Sequence, residues 1–215
     1  EGAIQENAGR MRIGVMGYLT DVGKENRNLY GAVLRAPLAS GAEWDSETGI
    51  LAGSGAINYI NLLGRSAPGR AGAYKAGDPG AEMFYEGLRY LQGRAPSPGI
   101  PALASDDGLA VWNSREDPLI ASCQPASVAM IGHASFELDR YVPGNSETAL
   151  EDMARPGDRF IGTFDVMEST RRVGELEGID RLELRGDGEG GAGSYYLAGA
   201  ALWAHSNAVR KESNL

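Results

Sequence analysis

Apolar positions in this chain come in short runs separated by long polar stretches. Residues 11–18 (MRIGVMGY) form one such run between polar turns, the pattern of a strand covered on both faces. Residues 127–134 (SVAMIGHA) repeat it and predict a second buried strand. Helical spacing appears elsewhere: Ile57, Ile60 and Leu63 fall on one side of a short helix. The strongest helix is predicted over 80–92, where Phe84, Leu88 and Leu91 recur at helical spacing, Asp78 can cap, Pro79 suits the first turn and Gly93 can stop the helix. A further helix is predicted within 160–173. The last spans 195–205, with Tyr196, Ala200 and Trp203 on one face and Ala201 small enough to let backbones approach.

Between these elements Gly and Pro break every period. Residues 20–55 are expected to be a long insertion holding at most one hairpin. Residues 94–118 and 135–158 are expected to be further insertions, and 186–193 (GDGEGGAG) a flexible connector. No internal repeat is visible. Strands alternating with helices across long loops predict an α/β sheet covered by helices on both faces.

The totals refine this picture. A length of 215 residues suits one domain with insertions, and 42% hydrophobic against 23% charged residues is an ordinary folded composition. The 31 glycines and 10 prolines supply the irregular loops. A net charge of −9 argues against binding a phosphate backbone, which needs clustered Lys and Arg, so the expected partner is protein, glycan or cation. No apolar run approaches the roughly 20 residues needed to span a bilayer. The first residues lack the basic-then-apolar pattern of a secretion signal, so any such signal is expected to lie outside this chain. With one cysteine, Cys123, and two histidines, His133 and His205, the chain can build neither an internal disulfide nor a Cys/His zinc site. Cys123 is expected to be a small buried residue at a strand edge; the alternative is a thiol that pairs with a segment outside the chain.

Taken in order, several segments resemble the N-terminal domain of the PilC/PilY family of type IV pilus adhesins. They are 31–37 (GAVLRAP), 55–64 (GAINYINLLG), 78–93 (DPGAEMFYEGLRYLQG), 117–124 (DPLIASCQ), 141–144 (YVPG), 173–178 (VGELEG) and 194–207 (SYYLAGAALWAHSN). The resemblance implies a von Willebrand factor A-like (Rossmann-like) fold: a mainly parallel sheet flanked by helices. Residues 1–215 would be a single truncated domain of that kind, opening in the helix that follows its first strand. It further implies a secreted protein that passes through the periplasm to the pilus tip. There it would join minor pilins and the rest of the adhesin chain, prime pilus assembly and twitching motility, and contact host cells or abiotic surfaces.

Domains of this fold often hold a divalent cation between three loops of oxygen ligands. The first loop usually supplies an Asp-x-Ser-x-Ser run, which this chain lacks. Asp78 stands where the second loop would offer a ligand, and it serves equally as a helix cap. His133 stands where the family has Asp, and imidazole suits Mg or Ca poorly. The chain by itself is therefore expected to carry no metal or other cofactor, with Ca or Mg binding only if the upstream loop is restored.

Other constellations are less specific. Arg185, Gly186 and Asp187 spell an Arg-Gly-Asp tripeptide in a glycine-rich loop, a receptor-binding candidate whose alternative is chance in an Arg-, Gly- and Asp-rich stretch. Asp106, Asp107, Gly108 and Asp117 lack the spacing of a calcium loop and suit a solvated turn. Glu175 and Glu177 are a formal acid/base pair that equally closes a helix on its polar side. No nucleophile elbow, phosphate loop or dinucleotide fingerprint is present, so the expectation is a binding or docking module and not an enzyme.

Overall fold

The computed structural model describes residues 2–7, 10–18, 32–39, 43–45, 47–51, 55–62, 80–97, 117–121, 123–132, 136–137, 142, 144, 164–186 and 193–210. Helix α1 (Ala3–Asn7) is short and buries none of its residues. It is followed by strand β1 (Ile13–Tyr18), strand β2 (Ala32–Ala39), helix α2 (Ala56–Leu62) and helix α3 (Gly80–Leu91). The chain continues through β3 (Phe136–Glu137), α4 (Val166–Glu177), a 3-10 turn (Leu182–Leu184), β4 (Gly193–Ser194) and α5 (Tyr196–Ser206).

The apolar run at 11–18 forms a strand, as its pattern predicts. Its partner β2 lies inside the stretch expected to be an insertion, and the pair runs antiparallel, from Tyr18 opposite Ala32 to Ile13 opposite Ala39. The register slips on either side of Val15. β2 gains one residue at each slip, the first within Pro37–Leu38 and the second at Arg35, and Pro37 has no amide to give to a ladder. Within the first slip, the Leu38 amide donates to the Tyr90 hydroxyl at 2.8 Å, so helix α3 takes up a donor the ladder does not use. The second pair, β3 with β4, is also antiparallel. The expected mainly parallel sheet is therefore corrected for the described residues: their strands form two antiparallel pairs.

Helices α3, α4 and α5 enclose the core. Ala81, Tyr85, Leu88, Val142, Phe164, Val166, Tyr196, Ala200 and Trp203 form one buried cluster. Within it Tyr85 stacks on Phe164 at 5.7 Å between centroids, and Phe164 meets Trp203 edge-on at 5.2 Å. These contacts add roughly 0.5–1.5 kcal/mol per pair beyond area burial. The face expected of α5 is the buried one, carrying Tyr196, Ala200 and Trp203. The close-approach residue differs from the expectation: Ala201 is exposed, while a Cβ at Gly199 would lie 2.5 Å from the Thr170 amide nitrogen and 2.9 Å from its Cα. Gly199 thus lets α5 cross directly over α4.

Helix α4 starts later than predicted because Asp165 is its N-cap, accepting from the Glu168 amide at 2.9 Å. It ends at Gly178, whose left-handed conformation (φ 69°) favours glycine. Helix α2 is capped from a distance: Glu43 accepts from the amides of Ala56 and Ile57, each at 2.7 Å. Of the positions predicted for its apolar side, Ile57 is buried, Ile60 is 44% exposed, and Leu63 lies outside the described residues.

Candidate interaction surface

The segment 117–132 carries the largest departure from the sequence pattern. Asp117 begins it, pinned by both ends of its carboxylate to the Arg210 guanidinium: Nη1 donates to Oδ1 at 2.7 Å and Nη2 to Oδ2. The Leu119 amide adds a bond to Oδ1 at 2.9 Å. Arg210 holds the Asp117 carboxyl below its ordinary range, and the pairing in turn raises the Arg210 guanidinium. Arg210 also donates to the Leu91 carbonyl at 3.4 Å, and the Gln92 side-chain amide donates to the Val209 carbonyl, so the segment after α5 is tied to the end of α3. From the other side Arg12, just before β1, donates to the carbonyls of Pro118 at 2.6 Å and Leu38 at 2.5 Å. Two arginines from distant parts of the chain therefore fix the same turn.

Beyond this anchor the chain turns at 120–124, where the Gln124 amide donates to the Ala121 carbonyl and the Ile120 amide to the Gln124 side chain, each at 3.1 Å. It then runs from residue 125 to 132 without helix, turn, bend or strand partner. Ile120 is 75% exposed, Val128 44% and Ile131 95%. The expectation of a buried strand over 127–134 is thus overturned for the described part, residues 127–132: the strand-forming sequence is there and its cover is not. Cys123, expected to be buried at a strand edge, is exposed in the turn. Local sequence signals identify a strand but not whether a neighbour covers it.

The remaining candidates fall as follows. Asp78, His133 and Asp187 lie outside the described residues, as do Asp106, Asp107 and Gly108. Arg185 and Gly186 are exposed after the 3-10 turn, with Arg185 Nε donating to the Asp180 carbonyl at 2.9 Å. Glu175 is exposed on α4, paired with Arg171 and with Arg172 at 3.2 Å, and Glu177 is exposed at the end of that helix. No group of three or more His, Cys, Asp or Glu placed to hold a metal occurs among the described residues. No helix among them is long and apolar enough to cross a membrane.

Sequence reasoning missed a group of buried charges. Helix α3 buries Glu82, Glu86 and Arg89, and β2, which lies against it, buries Arg35. Glu86 accepts from the Ser97 amide at 3.1 Å and from the Ser97 hydroxyl, with Arg89 Nε 4.0 Å away. Arg89 itself donates from Nε and Nη2 to the Ala95 carbonyl at 3.0 and 2.7 Å. Burial pushes the Glu86 carboxyl up to about 7, against the Ser97 bonds and Arg89, which favour its charged form. These contacts fasten residues 94–97 to α3. Two carboxylates four residues apart, Glu82 and Glu86, give no sign in sequence that their side of the helix is buried.

No protein-family model matches the chain, and no solved structure does. Among curated proteins it is 25% identical, over 269 aligned residues covering 99% of the chain, to the type IV pilus biogenesis factor PilY1 homolog of Xylella fastidiosa (strain Temecula1 / ATCC 700964). The chain spans 21% of the length of that relative. The similarity runs through nearly the whole chain, and it supports a PilY1-like type IV pilus factor.

Proposed function

We infer that the chain is a binding module of a type IV pilus factor, acting at the pilus tip as an adhesin and assembly component and catalysing no reaction. The observation that carries this reading is the similarity over 99% of the chain to a pilus biogenesis factor. In this reading the protein is secreted through the periplasm and docks with minor pilins and with the rest of its own polypeptide. A von Willebrand factor A-like architecture belongs to the same reading. So does receptor binding through loops, with Arg185, Gly186 and Asp187 as the candidate contact.

A second reading has its own support. The exposed Ile120, Val128 and Ile131 follow one another along a single anchored segment, and exposed apolar surface of this kind favours a docking face over a polar receptor-binding loop. On that reading the module serves pilus priming without touching a receptor.

Deleting the encoding gene and counting surface pili tests the shared part. Loss of pili, restored by the wild-type gene, is expected; unchanged piliation would refute a biogenesis role. An Asp187→Glu strain that keeps its pili separates the two readings. Reduced attachment to host cells or surfaces supports reception, and unchanged attachment removes the tripeptide as the contact.

A further inference from the structure

Residues 94–97 lie against α3 without adding a side chain to the buried apolar cluster: Arg94 and Ala95 are exposed, Pro96 and Ser97 half-buried. Polar bonds from one turn of the helix hold them. Glu86 accepts from the Ser97 amide at 3.1 Å and from the Ser97 hydroxyl, and Arg89 donates twice to the Ala95 carbonyl. The Glu86 side chain beneath is 3% exposed. Its charged surroundings are mixed. Helix α3 itself buries Glu82 and Arg89, with Tyr85 and Tyr90, and β2, packed on α3, buries Arg35. Strand β1 brings no titratable side chain over Ile13–Gly17, and the His205 imidazole of α5 is exposed, as is Arg94. Arg89, 4.0 Å away, is the charged group that acts on the Glu86 carboxyl.

A carboxyl shut away from water resists ionisation, and two Ser97 bonds with one arginine do not offset that burial. Hydration would relieve the charge, and the atoms in the way belong to the segment held by the fewest buried contacts. We propose that residues 94–97 are a pH-operated strap on α3, closed over Glu86 while its carboxyl is protonated and released as it ionises. The closed form suits the protonated acid, because the Ser97 hydroxyl can accept as well as donate. The sign follows from linkage. Closed, Glu86 has a value of about 7; with the strap away and the carboxyl in water it returns to the ordinary 4.5. Opening is therefore least favourable below pH 4.5, rises on the order of 100-fold as pH climbs to about 7, and levels off above it. Glu86 and Arg89 are then presented at the surface of α3. This inference stands apart from the pilus reading.

Hydrogen exchange followed by NMR, corrected for the intrinsic pH dependence of amide exchange, tests the strap. The Ser97 amide reports its opening, and the Ala200 amide in α5 reports unfolding of the core. Ser97 should lose protection on the order of 100-fold between pH 4.5 and 7.5 while Ala200 keeps its own, and Glu86→Gln should flatten the Ser97 profile. A flat profile in the wild type overturns the proposal. So does a loss shared with Ala200, which is opening of the whole fold, and so does an unchanged loss in Glu86→Gln, which assigns the titration to another group. Should Glu86→Gln not fold, the carbon-13 shift of the Glu86 carboxyl in the wild type replaces it. Titration in step with Ser97 protection upholds the strap, and titration out of step rejects it.

Discussion

Asp117 and Arg210 stand 93 positions apart in sequence and close on each other through both carboxylate oxygens. Their contact joins the turn leading into the bare segment to the segment after α5, and through the Leu91 carbonyl to the end of α3. Arg12 binds the next residue of that turn, Pro118. The exposed apolar segment therefore springs from a fixed base.

The Asp117 carboxyl sits below its ordinary value when folded, because Arg210 bonds its charged form. A depressed folded value stabilises the protein above the unfolded range, near pH 4, and that contribution is lost as pH falls through the folded value. The Asp117 side chain is 40% exposed, which keeps the contribution to about 1 kcal/mol or less. Asp117→Asn is expected to lower the melting temperature slightly at pH 7. The gap between variant and wild type should narrow as pH falls below the unfolded range, near pH 4, in thermal melts.

Glu86 behaves in the opposite sense. Its folded value, about 7, lies above its unfolded value of 4.5, so the folded state holds the proton more tightly. That contribution is complete below pH 4.5 and fades as pH rises to about 7. Glu86→Gln cannot ionise. Relative to wild type it should gain stability between those pH values, by an amount on the order of 3 kcal/mol, read from denaturant midpoints at pH 4.5, 6 and 7.5. A constant difference across that range would count against a buried proton on Glu86.

Gly199 is where α5 passes over α4, and a side chain there meets the backbone of Thr170 as well as its hydroxyl. Gly199→Ala should cost about 1–3 kcal/mol, measured by chemical denaturation. Shortening the opposing side chain in a Gly199→Ala/Thr170→Ser double variant should recover little of this, because the amide nitrogen and Cα of Thr170 remain in the way.

Cys123 is exposed, so it should react stoichiometrically with a thiol reagent in the native protein, without denaturant. Labelling that requires unfolding would return it to the buried position expected from sequence.

The sequence alone determined the elements whose signals are local. The run at 11–18 had to be a strand, because its apolar residues lie too densely for a loop. Helices α3 and α5 followed from residues three and four apart and from Gly93, whose φ of 70° suits a helix stop. The resemblance carried by segments spread along the chain agrees with the similarity to a pilus biogenesis factor. Tertiary structure decided what no local pattern encodes. Whether 127–132 is covered depends on a neighbouring strand, and the sequence of that segment is the same with or without one. Direction of pairing belongs to the two strands jointly, so a hairpin between β1 and β2 could not be separated from a parallel sheet by periodicity. The charges of α3 became interior because helices and strands close around both sides of it. Arg12, Asp117 and Arg210 acquired their roles only when folding brought three remote stretches together. Such contacts are specified by the whole chain at once.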